Sequence, residues 1–310
     1  MNKIRVNFVD FWPHFNKKDN YFYHLLSLNY EVEIDERNPD LLFFSVDYAR
    51  NRERDRYLGH PCKKIFYSGE NVRPNFDFPG SIEYPSYSIG KCDYAFTFDY
   101  SEDPRHYRLP LWVLFVNWFD LPDNPNRDPS YLIPLHHLTE RATLPLKTKF
   151  CNFVFSNTSG MRLEILDAIH TYRRVDCAGS LRNNMGYQVE GRGDQRSKID
   201  FLQHYKFTVA TENSSHAGYT TEKLIHPLSV GSIPIYWGSE KVEDDFNAAA
   251  IIDVKKYDSL DEVVDIIHRI DENDELYQMY LDEPIFKNNE VPACFLPQSV
   301  LHYVEERILC

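Results

Sequence analysis

The chain has 310 residues, of which 43% are hydrophobic and 15% aromatic, and this composition indicates a folded globular protein with one large or two ordinary domains. Its 47 acidic and 34 basic residues give a net charge of −13, which argues against a nucleic-acid backbone as partner because that contact needs a basic face. No run approaches the roughly 20 apolar residues of a membrane-spanning helix. The six scattered cysteines contain no Cys-x-x-Cys pair, which argues against a zinc site or a dense disulfide frame.

Short β-forming runs alternate with helical segments through the first half of the chain. Strands are predicted at residues 4–9, 30–34, 41–46, 64–67 and 92–98. Apolar residues at helical spacing predict a helix over 21–28, and the charged segment 51–58 is predicted to be a helical crossover. This alternation is typical of a mostly parallel, doubly wound sheet, whose ligands bind at the carboxyl ends of the strands.

A second alternating block follows an irregular connector over residues 100–149. Its predicted elements are strand 150–155, helix 161–170, strand 175–177, a polar loop 179–193, helix 198–205 and strands 207–210 and 233–237, followed by helices 260–270, 275–281 and 300–308. We therefore predict an α/β protein with two Rossmann-like domains facing across a cleft. The predicted boundaries are 1–149 for the first domain with its connector, 150–275 for the second, and 276–310 for a helical tail.

The segment from strand 207–210 to the following helix has the features of an anion site. A polar loop leads to Thr221, whose hydroxyl can cap a helix that starts at Glu222. Unpaired N–H groups and the positive end of the helix dipole would bind phosphate there, and Lys223 would add a full charge. The spacing alone favours a plainer interpretation, in which Glu222 and Lys223 are solvated residues of the first helical turn. Pro227 is predicted to kink or shorten this helix.

Two further residues lie where a parallel sheet places its ligand-binding groups. Glu70 follows a buried strand, which would hold a partly desolvated carboxylate at the lip of the cleft, suited to general-base catalysis. Arg162 begins the helix after strand 150–155, and its planar guanidinium suits phosphoryl oxygens. The alternatives are a surface acid that caps a turn and a solvent-facing helix arginine.

The amino-acid sequences of these segments resemble those of a known enzyme family. The resemblance is carried by Glu212-Asn213, Tyr219, Thr221-Glu222-Lys223, the run 234–239 and Asp245-Phe246. This ordered set is similar to the donor-binding core of the α-1,3-fucosyltransferases of glycosyltransferase family 10, particularly the bacterial members. The segment 69–71, with 74–76, 93–95 and Asp99, resembles the acceptor-domain motif of the same family. The resemblance covers residues 1–281 and is strongest over 150–253.

The resemblance implies a GT-B-type glycosyltransferase fold and a role for each matching residue. Glu70 matches the residue regarded as the catalytic base. The implied donor-site residues are Arg162, Arg182, Asn213, Tyr219, Glu222 and Lys223, with Arg162 and Lys223 at the diphosphate. For two of them a structural role stays open: Tyr219 as a core tyrosine and Asn213 as a loop-capping amide.

The reaction implied is an inverting transfer of L-fucose from GDP-β-L-fucose to the 3-hydroxyl of N-acetylglucosamine in a lactosamine-type glycan. The expected partners are therefore GDP-fucose, as a co-substrate, and an oligosaccharide acceptor. No cofactor is expected. The chain has no Asp-x-Asp motif, the usual carboxylate anchor for a metal–diphosphate bridge, so no metal is required in this hypothesis.

Several alternatives remain open at this point. Thr211 precedes Glu212 where the family usually has an aromatic residue, and Thr220 stands where a branched apolar residue is common, so base or sugar preference could differ. The rivals are a transferase for another deoxy sugar nucleotide and a non-catalytic two-domain sugar-binding protein. The N-terminal residues alternate like a strand instead of a secretion signal, so a cytoplasmic location is expected, with peripheral membrane contact left open.

Overall fold

The structure, a computed structural model, describes residues 2–46, 52–71, 92–140, 146–189 and 195–310. The chain divides into two compact units. The first comprises Met1–Leu114, Asn124–Asp128 and Ala293–Cys310, and the second comprises Phe115–Asp123 and Pro129–Pro292. The last 18 residues thus group with the first unit, whereas we predicted that they belong to a separate helical tail over residues 276–310.

A six-stranded parallel sheet organises the first unit. Its strands are β1 (Asn2–Val9), β2 (Tyr30–Ile34), β3 (Leu41–Phe44), β4 (Lys63–Ser68), β5 (Tyr94–Thr97) and β6 (His106–Arg108). They lie in the order β2-β1-β3-β4-β5-β6. Helix α1 (Tyr21–Ser27) covers one face, where Phe22 contacts the rings of Phe43 and Phe96. A short 3₁₀ turn, Glu53–Tyr57, replaces the predicted crossover helix.

The second unit contains a small two-stranded pair and a five-stranded parallel sheet. Strands β7 (Val116–Asn117) and β8 (Ile133–Pro134) pair in parallel, and a short helix, α2 (His136–Thr139), follows them. The larger sheet has the order β10-β9-β11-β12-β13. Its strands are β9 (Lys149–Phe153), β10 (Asp176–Cys177), β11 (Tyr205–Thr211), β12 (Ile233–Trp237) and β13 (Ile252–Asp253).

Besides α2, five α-helices of the described residues belong to the second unit, and one more belongs to the first. The five are α3 (Arg162–Tyr172), α4 (Gln195–Leu202), α5 (Glu222–Ser229), α6 (Leu260–Asp271) and α7 (Asp274–Asp282), and the last is α8 (Pro297–Tyr303). Pro227 lies inside α5, which ends two residues later. No helix of the described ranges combines the length and the apolarity that crossing a bilayer requires.

The strands of the larger sheet are buried on both faces, which explains their almost continuous apolar sequences. In the register of β11 and β12, Phe207 lies opposite Ile233 and Val209 opposite Ile235, and all four are buried. Because every pair in this sheet is parallel, the carboxyl ends of β9, β11 and β12 meet at one edge. The loops that follow these strands therefore form a single surface.

The structure differs from the sequence-based prediction at the end of α4 and at β6. Helix α4 ends at Leu202, and Tyr205 already belongs to β11, where its hydroxyl donates to Asp176 Oδ2 at 2.9 Å. Strand β6 lies inside the region predicted to be irregular, because a three-residue strand is too short to show a periodic pattern. It is nevertheless held by parallel pairing with β5.

Candidate active site

The residue that follows β11 fixes the start of helix α5. Glu212 is fully buried, and its carboxylate accepts the backbone N–H of Thr221 at 2.8 Å and the Thr221 hydroxyl at 2.8 Å. The same hydroxyl oxygen caps α5 by accepting the backbone N–H of Lys223 at 3.3 Å, as the sequence predicts. The helix start is therefore tied to the carboxyl end of a central strand.

Lys223 lies between two acids at this helix start. Its Nζ is 3.2 Å from Glu222 Oε1 and 3.6 Å from Glu212 Oε2, and it donates to the Thr221 hydroxyl oxygen at 3.2 Å. The Lys223 side chain is 23% exposed and that of Glu222 17%, whereas Glu212 is inaccessible. The ammonium group of Lys223 is therefore partly accessible to solvent, whereas the carboxylate of Glu212 is not.

The two acids differ in their protonation. Burial raises the pKa of Glu212 to about 7, although the charge of Lys223 opposes this. Burial also acts to raise the pKa of Glu222, but the charges of Lys223 and Lys198 outweigh it and hold that pKa well below the usual value. Glu222 is therefore ionised at neutral pH, whereas Glu212 titrates there.

Arg162 is a buried cation whose hydrogen-bond partners are all neutral. The side chain is 3% exposed; Nη1 donates to Asn157 Oδ1, and Nη2 donates to the Thr211 carbonyl at 3.2 Å and to Asn213 Oδ1 at 2.7 Å. Burial lowers the pKa of Arg162, although Glu212, Tyr219 and Glu222 are near enough to oppose this. Because Arg162 forms no ion pair within the described ranges, its charge is available to an anion.

A glycine allows the loop before α3 to pack against the strand ends. Gly160 has a φ of +66°, which glycine adopts without strain. A Cβ atom there would lie 2.6 Å from the Trp237 ring and 3.0 Å from the Glu212 carbonyl oxygen. This close approach brings the start of α3, and with it Arg162, to the end of β11.

The structure brings most of the predicted donor-site residues together. Arg162 and Asn213 are hydrogen-bonded, Glu222 and Lys223 form an ion pair, and the fully buried Tyr219 lies in the loop that joins the two pairs. Arg182 is placed apart. It is exposed in the loop after β10 with a φ of +51°, and it shares no hydrogen bond or ion pair with the other five in the part of the chain described.

Glu70 lies in the first unit, at the carboxyl end of β4 as predicted. The side chain is half-buried, and its backbone is fixed by Ser68, whose hydroxyl accepts the Glu70 N–H at 3.1 Å and donates to the Glu70 carbonyl at 3.0 Å. Asp99 accepts the hydroxyl of Thr97 at 2.9 Å at the end of the neighbouring strand. The motif residues 74–76 lie outside the described residues.

Sequence reasoning gave no role to two residues of this site. Glu212 carried a usable signal, because it directly follows a buried strand whose carboxyl end faces the ligand side. Lys198 had no such signal in the sequence. It lies in the polar sequence of α4, and only the packing of the folded chain reduces its exposure to 8%. Among the described residues, no group of three or more His, Cys, Asp or Glu side chains is arranged to hold a metal ion.

Two family models match this chain, one in each half. The model described as "Glycosyltransferase family 10 (fucosyltransferase) C-term" matches residues 144–284, and "Alpha-(1,3)-fucosyltransferase FucT N-terminal domain" matches residues 6–115. The alpha-(1,3)-fucosyltransferase FucT of Helicobacter pylori is 30% identical over 293 residues, which cover 86% of this chain and 57% of that protein. The chain thus spans just over half the length of that relative.

Solved structures extend the similarity to almost the whole chain. A crystal structure of an alpha1,3-fucosyltransferase matches with a TM-score of 0.70 and 25% identity over 98% of this chain and 89% of that one. A crystal structure of an alpha1,3-fucosyltransferase with GDP-fucose matches with a TM-score of 0.68 and 26% identity over 98% of this chain and 90% of that one. The predicted α/β fold of the GT-B type, with two Rossmann-like parallel-sheet units, is thereby confirmed.

Proposed function

Because this chain belongs to glycosyltransferase family 10, we propose that it is a GDP-fucose-dependent α-1,3-fucosyltransferase. It would move L-fucose from GDP-β-L-fucose to the 3-hydroxyl of N-acetylglucosamine in a lactosamine-type glycan, with inversion at the anomeric carbon. The observation that carries this proposal is the buried guanidinium of Arg162 beside the Lys223 helix start, since both cations lie at the ligand edge of a parallel sheet.

The leaving diphosphate determines what the site must supply. As the bond to the anomeric carbon breaks, negative charge develops on the diphosphate, and fixed cations and N–H dipoles stabilise it without reorganisation. Arg162 suits this role because three neutral acceptors hold its guanidinium in place without cancelling its charge. Lys223 and the start of α5 would add a second cation and the helix dipole.

The remaining donor-site residues would recognise the uncharged parts of the nucleotide sugar. Glu222 is ionised and mostly buried, so it can accept hydrogen bonds from hydroxyls of ribose or fucose. Asn213 would act by orienting Arg162, to which its amide oxygen is bonded at 2.7 Å. Tyr219 would shape the loop around the donor, and Arg182 would contribute from the loop after β10.

Glu70 is proposed as the general base. It would take the proton from the acceptor hydroxyl as that oxygen attacks the anomeric carbon from the face opposite the diphosphate. A single displacement converts a β-linked donor into an α-linked product. The donor would bind to the second unit and the acceptor to the first, and the reaction as proposed needs no metal because Arg162 and Lys223 supply the positive charge.

A transfer assay tests this function directly. The protein is incubated with GDP-fucose and N-acetyllactosamine, released GDP is measured, and the linkage of the product is determined. GDP release that depends on the acceptor, with an α-1,3 linkage, is expected. GDP-fucose binding without turnover would favour a non-catalytic sugar-binding protein, and turnover only with another deoxy sugar nucleotide would reject the donor assignment.

A further inference from the structure

Lys198 is a buried cation that the proposed mechanism leaves unused. It lies on α4 with 8% of its surface exposed. Within the described ranges its ammonium group makes no hydrogen bond and no ion pair. Burial lowers its pKa, and the largest opposing influence is the charge of Glu222. A charged amine in such a position costs folding free energy unless a ligand supplies an acceptor.

Glu222 offers a carboxylate oxygen that could match the Lys198 ammonium group. Its Oε1 binds Lys223 at 3.2 Å, whereas its Oε2 has no hydrogen-bond partner in the part of the chain described. His226, one turn further along α5, does not fill this role: its ring packs against Phe115 with the centroids 5.2 Å apart. Both of its nitrogens are buried without a partner, and burial holds its pKa well below the usual value, so the ring is neutral.

Helix α4 packs against α5, and Lys198 and Glu222 influence each other electrostatically although the two side chains form no ion pair. A phosphate would suit the ammonium group, but the ionised carboxylate of Glu222 would repel it. A hydroxyl satisfies both groups at once, because its oxygen can accept from an ammonium while its hydrogen is donated to a carboxylate. Sugar nucleotides carry such hydroxyls on the ribose and on the transferred sugar.

We propose that Lys198 is a donor-binding residue, which acts with Glu222 to bind one sugar hydroxyl of the nucleotide sugar. Lys198 donates to the hydroxyl oxygen, and the hydroxyl donates to the free oxygen of Glu222. This inference rests on the proposed function, since it takes GDP-fucose as the ligand. It adds to the donor site a cation that is directed at a neutral group, unlike Arg162 and Lys223 at the diphosphate.

The test is calorimetry on Lys198→Met, whose side chain is of similar length and suits a buried position. The ligands are GDP, GDP-fucose and 2′,3′-dideoxyguanosine diphosphate. We expect a loss of affinity of roughly 10- to 100-fold, the value of one hydrogen bond to a charged group. A loss for GDP that is absent for the dideoxy nucleotide identifies a ribose hydroxyl. A loss for GDP-fucose but not for GDP identifies a fucose hydroxyl.

The control is Lys147→Met, the same change at another buried lysine of this unit. Lys147 donates to the Val230 carbonyl at 2.5 Å at the far end of α5, so its removal should leave nucleotide affinity unchanged. Thermal unfolding of both variants checks that they fold. Unchanged affinity of Lys198→Met for GDP and for GDP-fucose would overturn the inference, as would equal losses for GDP and the dideoxy nucleotide. Failure of the parent protein to bind GDP would instead reject the proposed function.

Discussion

The carboxyl edges of the two parallel sheets differ in how they hold charge. At the edge of the second sheet, Arg162, Lys223 and Glu212 are fixed by hydrogen bonds to loop and strand atoms, and Arg162 and Glu212 are buried. At the edge of the first sheet, Glu70 lies half-buried in a turn closed by Ser68. This contrast fits the proposed division of roles, in which the second edge binds an anion and Glu70 acts as the reactive acid at the first. Changes at the second edge should therefore alter affinity, and a change at Glu70 should alter the rate.

The largest effect is expected for Glu70→Gln, which keeps the shape of the side chain but cannot accept a proton. General-base catalysis contributes about 10²- to 10⁴-fold, so kcat for fucose transfer should fall by that factor while the Kd for GDP-fucose stays within about twofold. Glu102→Gln, at an exposed acid of the same unit, is the control. Transfer by Glu70→Gln at the parent rate would remove Glu70 from the mechanism.

Arg162→Ala should produce the next largest effect. Removing one preorganised donor to a developing anion costs roughly 10²- to 10³-fold, and we expect that loss in kcat/KM together with weaker GDP binding by calorimetry. Lys223→Ala should follow the same pattern with a smaller loss, because Lys223 is already partly neutralised by Glu222.

Two further variants show whether the Arg162 effect is specific. Arg162→Lys keeps the charge but loses the planar fork, so it should recover only part of the affinity. Arg269→Ala, at an exposed arginine of α6, should have no effect. If Arg162→Ala and Lys223→Ala both bound GDP as the parent does, neither residue would lie at the diphosphate.

Glu212 should make stability depend on pH. Its folded-state pKa is about 7, above the ordinary value of 4.5, because burial favours the protonated carboxyl. The resulting stabilisation is complete below pH 4.5 and is lost as the pH rises through 7. Relative to Glu212→Gln, which does not titrate, the parent should lose ~3 kcal/mol of unfolding free energy over that interval. Urea unfolding at several pH values measures this, and parallel curves for the two proteins would show that Glu212 does not titrate there.

Thr221→Ala should have the smallest effect. The substitution removes the cap of α5 and one hydrogen bond to Glu212, which together should cost about 1–2 kcal/mol of unfolding free energy. Ser259→Ala removes the cap of α6 and should cost a similar amount without changing GDP affinity, whereas Thr221→Ala should weaken it. Thr221→Ser should restore both properties. Equal GDP affinity for the two alanine variants would show that the cap of α5 does not support the donor site.

Much of the second unit could be predicted from the sequence because its signals are local. Buried parallel strands appear as apolar runs, and a threonine before an acidic first turn marks the start of a helix, so β11 and α5 were predicted to within two residues. The rule that ligand-binding groups lie at carboxyl strand ends pointed to the segments of Arg162 and Glu222, whereas the donor-site roles of these residues came from the family resemblance and stay predictions.

The remaining features depend on contacts between distant segments. The pairing of Glu212 with Thr221 joins residues nine positions apart in the sequence, and the burial of Lys198 follows from the packing of α4 beside α5. Neither leaves a periodic pattern in the sequence. The three-residue strand β6 was missed for a similar reason, because only its pairing with β5 makes it a strand.

A crystal structure of the protein with bound GDP would test the central claim most directly. The account predicts diphosphate oxygens within hydrogen-bonding distance of the Arg162 guanidinium and the Lys223 ammonium, beside the first turn of α5. A GDP molecule bound with its phosphates away from the carboxyl end of β11 would contradict it.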